Sequence, residues 1–185
     1  DVSKASSLDA SDRKVLGSSM PTWYGGWNNT VSYKNFDLNV FFRFSGGNKI
    51  MNASRQSALF NMDFSNNGTE ILGRWVSPEQ PGDGMTPKIG YGDASSLFND
   101  GYTDSHFVES GNYLKLSTLA LGYTLPKAVV SKLNMTKIRF YVQGQNLLTI
   151  TGYSGLDPET NSRLGVDWNG MPQQRSFTFG ANITF

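Results

Sequence analysis

Residues 176–185 alternate strictly between apolar and polar side chains, and this pattern is the strongest constraint that the sequence places on the fold. A period of two residues predicts a β-strand with one apolar face and one polar face. A strand of a transmembrane β-barrel has this pattern, because its outer face contacts lipid and its inner face lines a polar lumen. A strand of a soluble β-sandwich can show the same alternation. The apolar set is Phe177, Phe179, Ala181, Ile183 and Phe185, and the polar set is Ser176, Thr178, Gly180, Asn182 and Thr184.

Four further segments carry the same period and are also predicted to be strands. Between Phe36 and Phe44 every even position is apolar, which is a strong strand signal. In the third predicted strand the apolar phase changes at Ser117 and Thr118, which predicts a β-bulge. The five predicted strands cover about residues 22–33, 36–45, 113–125, 137–150 and 175–185.

The connections between the predicted strands alternate between short and long. The short connections cover residues 34–35 and 126–136, whereas the long ones cover residues 46–112 and 151–174. Outer-membrane barrels have short turns on the periplasmic side and long loops on the outside. Both short connections of this chain fall at one end of the strands. We therefore predict an all-β fold, a segment of an antiparallel transmembrane β-barrel with long extracellular loops.

The composition is compatible with strands in a membrane and narrows the possible functions. The chain has 185 residues, a mean hydropathy of −0.37 and a hydrophobic fraction of 38%. No apolar run approaches the roughly 20 residues that a membrane helix needs, whereas barrel strands can be near-neutral on average. A net charge of +1 argues against a nucleic-acid partner. With no Cys and one His, the chain has little material for a metal site, and we predict no cofactor.

Three carboxylates near one another in the second long loop allow two interpretations. Asp157, Glu159 and Asp167 could bind a metal ion or act as the acid pair of a glycoside hydrolase. Alternatively, Asp157 and Pro158 start a turn in which the carboxylates are solvated. We favour the turn, and we predict that the chain is not an enzyme.

Two other small motifs are interpreted as structural rather than chemical. His106 lies near Asp104, but no Ser or carboxylate spacing completes a catalytic triad, so we expect an exposed loop histidine. Gly144 and Gly180 are isolated within predicted strands and precede no helix, so they do not indicate a phosphate-binding loop.

The long loops contain aromatic residues that are candidates for binding. Aromatic rings can stack on sugars or peptides or contact a covering protein, and they can also pack a long loop against itself. The candidate ligand or lid contacts are Trp75, Tyr91, Tyr102, Tyr153 and Trp168. Short helices are predicted in the first long loop at Ile50–Phe60 and Thr69–Val76.

The chain resembles the C-terminal barrel portion of a known family, the SusC/RagA TonB-dependent outer-membrane transporters of Bacteroidetes. The resemblance covers roughly residues 20–185, and its motifs occur in the family's order. Together they are specific, whereas any one of them would be weak alone. The motifs are WNNTVSYKNFDL at 27–38, FVESGNYLKL at 107–116, LGYTLP at 121–126, GQNLLT at 144–149, YSGLDPE at 153–159 and PQQRSFTFG at 172–180.

The resemblance implies an active importer in the outer membrane. Members of the family form a 22-stranded barrel that is filled by an N-terminal plug and capped by a SusD-like lipoprotein. They import glycans or peptides with energy that reaches them through TonB. This sequence contains no plug and no TonB-contact segment, and five strands cannot close a barrel in lipid. We therefore expect a fragment, or one part of a divided polypeptide, whose partners are the remaining barrel, the plug, the lipoprotein, the TonB complex, membrane lipid and the substrate.

The resemblance also implies roles for particular strand residues. One face of the fourth strand would point into the lumen and line the transport path or contact the plug. The terminal aromatic residues would form the signal that the barrel-insertion machinery reads, and other aromatic residues near the short turns would form an interfacial girdle. The lumen-facing set is Arg139, Tyr141, Gln143 and Gln145, the assembly signal is Phe177, Phe179 and Phe185, and the girdle is drawn from Trp27, Tyr33, Phe36, Tyr123 and Phe185.

Two alternatives from other classes stay open on the sequence. The first is a secreted, soluble β-sandwich that binds glycans through its loop aromatics, and the second is a glycoside hydrolase. A sandwich would have similar loops at both ends and would be soluble without detergent. A hydrolase would need a carboxylate pair projecting from strands and would turn over glycans as the pure protein.

Overall fold

A computed structural model describes residues 13–59, 66–86, 88, 105–159 and 164–185. Strands and short helices alternate along these residues. The strands are β1 (Trp23–Tyr33), β2 (Phe36–Gly46), β3 (Lys49–Asn52), β4 (Val108–Ser110), β5 (Tyr113–Thr124), β6 (Lys137–Thr151), β7 (Val166–Asp167) and β8 (Ser176–Thr184). The helices are a π-helix (Arg55–Leu59), 3-10 helices (Thr69–Gly73, Ser105–Phe107, Ser131–Leu133) and α1 (Lys127–Val130).

The principal sheet has five antiparallel strands in the order β1-β2-β5-β6-β8. Each strand of the principal sheet begins and ends within one residue of a segment in which apolar and polar residues alternate. The predicted antiparallel barrel segment is confirmed as the fold class, and the sheet is open in the described residues.

The sheet has one apolar and one polar face, because side chains alternate between the faces along every strand. On β8, Phe179 pairs with Val142 of β6, and Val142 in turn pairs with Leu121 of β5. The side chain of Phe179 is 79% exposed, and other large apolar side chains on this face are also exposed. The apolar face is therefore uncovered in the described structure.

The predicted β-bulge is confirmed at Ser117. Phe41 pairs with Thr118 and Phe42 pairs with Leu116, so Ser117 has no partner in the pairing with β2. One additional residue reverses the parity of a strand. The bulge consequently places the leucines before it on the same apolar face as those after it.

Both short connections lie at one end of the sheet. Lys34 has a φ of 54° in the two-residue turn between β1 and β2. The backbone N–H of Thr124 donates to the carbonyl oxygen of Asn35 at 2.8 Å, which joins the end of β5 to that turn. The second connection contains α1 and a 3-10 turn, and the 3-10 turn ends at Asn134, which has a φ of 52°.

A second, three-stranded sheet in the long loops is a feature that the sequence did not predict. Its order is β4-β3-β7, with β3 antiparallel to β4 and parallel to β7. The helix predicted over Ile50–Phe60 is wrong at its start, because Lys49–Asn52 is β3. The helix predicted over Thr69–Val76 covers only Thr69–Gly73 and is a 3-10 helix.

The strand at β3 is explained by burial rather than by periodicity. Ile50 and Phe107 are fully buried, and Met51 and Ile71 pack against Phe107. A four-residue strand is too short to show a period, and its pairing depends on segments that are distant in sequence.

Within the described part of the chain, no helix is long and apolar enough to cross a membrane.

Candidate functional site

The loop between β6 and β8 folds back over the polar face of the principal sheet. We call its described residues, 152–159 and 164–175, the β6–β8 loop. Carboxylates at its start contact side chains of β5 and β2, which are one and two strands away from β6. The loop therefore crosses above the polar face at the end of the sheet that carries the long connections.

Lys115 is the centre of the contacts between the sheet and this loop. Its Nζ atom donates to Asp157 Oδ2 at 3.0 Å and Oδ1 at 3.2 Å, and it also contacts the carboxylate of Glu159. The Lys115 side chain is 1% exposed. A buried ammonium ion needs paired carboxylates to compensate for lost hydration. Its burial therefore depends on the loop being in place.

Arg43 and Tyr113 extend the cluster across the sheet. Arg43 Nη2 lies 3.0 Å from Glu159 Oε2 and donates to Gln173 Oε1 at 3.0 Å. The Tyr113 hydroxyl donates to Glu159 Oε1 at 2.8 Å. We call Arg43, Tyr113, Lys115, Asp157 and Glu159 the polar-face cluster.

The charges of the polar-face cluster explain why its members occur together. Arg43 and Lys115 are directly opposite each other on neighbouring strands. Like charges in such cross-strand pairs repel. The two carboxylates of the loop supply two negative charges for these two positive charges, so the cluster is neutral overall.

The interpretation of these acids as a solvated turn is wrong in one respect. Asp157 does form a turn, since its side chain accepts from the backbone N–H of Glu159 at 3.0 Å. However, Asp157 is buried and paired with Lys115. In the described part of the chain, no group of three or more His, Cys, Asp or Glu side chains is arranged to hold a metal ion.

A second set of contacts packs the β6–β8 loop against its own strand β7 and joins it to β4 of the three-stranded sheet. The Tyr153 hydroxyl donates to Asp167 Oδ2 at 2.6 Å, and both residues are buried. Burial, and next the Asp167 carboxylate, raise the pKa of the Tyr153 hydroxyl well above its usual value. Ser154 donates its backbone N–H and its hydroxyl to Glu109, at 2.7 and 2.6 Å. The loop is thus held on two sides.

Removing the Tyr153 hydroxyl tests this second attachment. Tyr153→Phe leaves the buried Asp167 with one acceptor site unpaired, so we expect the loop to lose about 1–3 kcal/mol of local stability. Faster hydrogen exchange at residues 152–159 and 164–170 of the intact protein would show this loss. Tyr24→Phe is the control, because Tyr24 is exposed. Equal exchange in the two variants would contradict the expectation.

The structure places the loop aromatics in three different situations. Trp168 is 70% exposed on the β6–β8 loop, and Trp75 is partly exposed with Lys88 Nζ 5.8 Å from its ring centroid. Tyr153 is buried, which favours packing within the loop over ligand contact for this ring. Tyr91 and Tyr102 lie outside the described residues.

The strand pairing places the four residues that were predicted to share one face of β6 on the same face. Arg139 donates to Asp37 Oδ1 on β2 at 3.0 Å, and its guanidinium lies 5.3 Å from the ring centroid of Tyr141. Gln143 pairs with Ala120 and Thr178. Gln145 accepts a hydrogen bond from Ser176 at 3.2 Å.

The aromatic residues of the predicted assembly signal are all exposed on the opposite, apolar side or at its end. They are Phe177, Phe179 and Phe185.

His106 is not the exposed loop residue that the sequence suggested. It lies in a 3-10 turn, it is partly buried, and its ring packs edge-on against Phe107 with centroids 4.8 Å apart. Its neighbour Asp104 lies outside the described residues.

Comparison with known proteins gives relatives over nearly the whole chain. No family model matches it. It is 32% identical over 188 residues to TonB-dependent receptor P3 of Formosa agariphila, covering 96% of this chain and 18% of that receptor. It is 31% identical to TonB-dependent receptor P26 of the same organism, and 25% identical to TonB-dependent receptor SusC of Bacteroides thetaiotaomicron.

Solved structures give the same result for the fold. The chain superimposes on the RagAB peptide importer in its closed-closed state with a TM-score of 0.80 and 25% sequence identity. The match covers 97% of this chain and 19% of that one. The chain therefore spans less than a fifth of the length of the relatives that it matches.

The two-faced antiparallel sheet and its long loops thus match a segment of the β-barrel of TonB-dependent receptors. The relatives include SusC and the RagAB importer, and the chain matches the C-terminal part of these proteins. These relatives are named as receptors and importers, and none of the names is that of an enzyme.

Proposed function

We propose that this chain forms part of the wall and mouth of an outer-membrane importer for oligosaccharides or peptides. The observation that carries the proposal is the combination of an uncovered apolar face with a polar face over which a loop is fixed by buried ion pairs. The first face suits lipid, and the second suits an aqueous lumen. A soluble sandwich would cover its apolar face, so the exposed rings favour the barrel.

In this proposal the remaining barrel strands complete the wall, a plug fills the lumen, and a SusD-like lipoprotein covers the mouth. Energy reaches the plug through TonB. The polar residues of β6, from Arg139 to Gln145, line the lumen or contact the plug. Phe177, Phe179 and Phe185 serve in recognition by the barrel-insertion machinery, and the chain is an integral, multi-pass part of the outer membrane.

Substrate would be met at the β6–β8 loop. A polar cavity of about 310 Å³ lies between this loop and β6. Trp168 is exposed on the same loop. A charged, polar cavity beside a loop that carries an exposed indole suits an oligomer with many hydrogen-bonding groups, which describes both peptides and sugars. The cavity is lined by residues that include Lys115, Asn146, Thr149, Asp157, Gln173 and Arg175.

The test is uptake by cells that carry the whole receptor together with its surface lipoprotein. We expect TonB-dependent entry of a labelled peptide mixture or a labelled oligosaccharide mixture, and we expect Trp168→Ala to weaken apparent affinity about threefold to tenfold. Met171→Ala is the matched control, because Met171 is also an exposed, large side chain of this loop. Absence of uptake for both mixtures, or uptake without TonB, would overturn the proposal.

A further inference from the structure

Three lysines at the short-connection end of the sheet have no carboxylate partner in the described part of the chain. Lys34 lies in the turn between β1 and β2, while Lys127 and Lys132 lie in the connection between β5 and β6. All three are exposed. None of them takes part in an ion pair among the described residues. We call these three residues the lysine rim.

Exposed apolar side chains flank the lysine rim in the connection between β5 and β6. Val129 is 45% exposed and Leu133 is 54% exposed, each within four residues of a rim lysine. Val130, which follows Val129 in the chain, is buried. Ile138, which shares the apolar parity of β6, is also buried, because α1 lies against β6. The connection therefore lies against β6 and exposes two further apolar side chains beside the lysine rim.

Aromatic rings mark the boundary between the apolar face and the lysine rim. Lys34 Nζ lies 5.3 Å from the ring centroid of Tyr33, which is exposed. Phe36 and Tyr123 pack against each other with centroids 4.7 Å apart. Tyrosine is enriched where hydrocarbon meets headgroups, and lysine extends its stem over apolar surface while its charge stays outside.

The acidic side chain at this end is directed to the other face of the sheet. Asp37 lies on the polar face, where it accepts from Arg139 at 3.0 Å. Lys137 has the same parity as Arg139 and lies on the polar face too. The charge of Asp37 is thus engaged on the polar face, whereas Lys34 lies beside the ring of Tyr33, which pairs with Phe36 of the apolar face.

We propose that the lysine rim binds the phosphates of anionic phospholipids in the bilayer leaflet at the short-connection end. Val129 and Leu133 would then lie among the first carbons of the acyl chains. This inference rests on the proposed membrane position of the sheet. Its basis is the match between unpaired lysines and phosphate charge at the edge of an apolar surface, where each basic residue favours an anionic headgroup about fivefold.

The experiment uses the whole receptor in bilayer discs that contain equal amounts of phosphatidylglycerol and phosphatidylcholine. A benzophenone amino acid replaces Val129, and the lipids that it captures under light are counted by mass spectrometry. We expect phosphatidylglycerol to be captured about fivefold or more in excess. K34Q/K127Q/K132Q should bring the ratio close to one. K14Q/K49Q/K88Q removes three exposed lysines in the part of the chain outside the two short connections and should leave the excess unchanged.

A second probe separates failure of this inference from failure of the membrane proposal. The same amino acid in place of Phe179 should capture both lipids without preference. Capture of no lipid at 179 would overturn the membrane position. Lipid capture at 179 with equal ratios at 129 would overturn the inference alone. The inference would also be overturned if inorganic phosphate removed the excess of captured phosphatidylglycerol when the ionic strength is matched with chloride. The lysine rim would then be a site for a free anion.

Discussion

Replacing Lys115 by methionine is expected to release the β6–β8 loop from the polar face of the sheet. The side chain is 1% exposed and is paired with Asp157 and Glu159. Removing one member of a buried ion pair costs about 3–5 kcal/mol, because the remaining charge stays buried without compensation. Arg43 still contacts Glu159, so we expect the lower end of this range.

Hydrogen exchange of the whole receptor would measure this release as increased exchange in residues 152–159 and 164–175. Lys49→Met is the control, because Lys49 is exposed and forms none of the ion pairs among the described residues. The double variant K115M/D157N should lose less stability than the sum of its single changes, since the two side chains interact directly. Additive losses would show that Lys115 does not hold the loop through Asp157.

Arginine at position 179 should block assembly of the barrel, whereas arginine at position 178 should be tolerated. Phe179 lies on the apolar face and pairs with Val142, while Thr178 lies on the polar face and pairs with Gln143. An arginine facing lipid near the middle of the membrane costs about 2–4 kcal/mol. On the polar face its guanidinium stays hydrated.

The fraction of receptor that reaches the outer membrane in a folded, heat-modifiable form would measure this difference. The two positions are adjacent on one strand, so each variant is the control for the other. Equal assembly of Phe179→Arg and Thr178→Arg would mean that the assignment of the two faces is wrong.

The principal sheet could be predicted because its signal is local. Alternation in each strand depends only on neighbouring residues, and a bulge at Ser117 shows as a change of parity within one strand. The turn at Lys34 follows from two polar residues between two alternating segments. Each of these features is visible in a window of about ten residues.

The three-stranded sheet and the polar-face cluster could not be predicted because their contacts join distant parts of the chain. Met51 pairs with Val166, and Lys115 contacts Asp157, and in both cases at least one whole strand of the principal sheet lies between the partners in sequence. The sequence carries one signal for the polar-face cluster. Arg43 and Lys115 both occupy positions whose side chains lie on the polar face of their strands. Once β2 and β5 are paired, two cations face each other, and carboxylates must come from elsewhere.

The pairing of β3 with both β4 and β7 has a consequence for engineering these receptors. The three strands come from two different long loops, so neither loop folds independently of the other. Exchanging one loop alone for that of a relative would leave a strand edge without its neighbour. Hybrid receptors with altered substrate range should therefore receive both loops as a matched set, and peptide tags are best inserted away from these three strands.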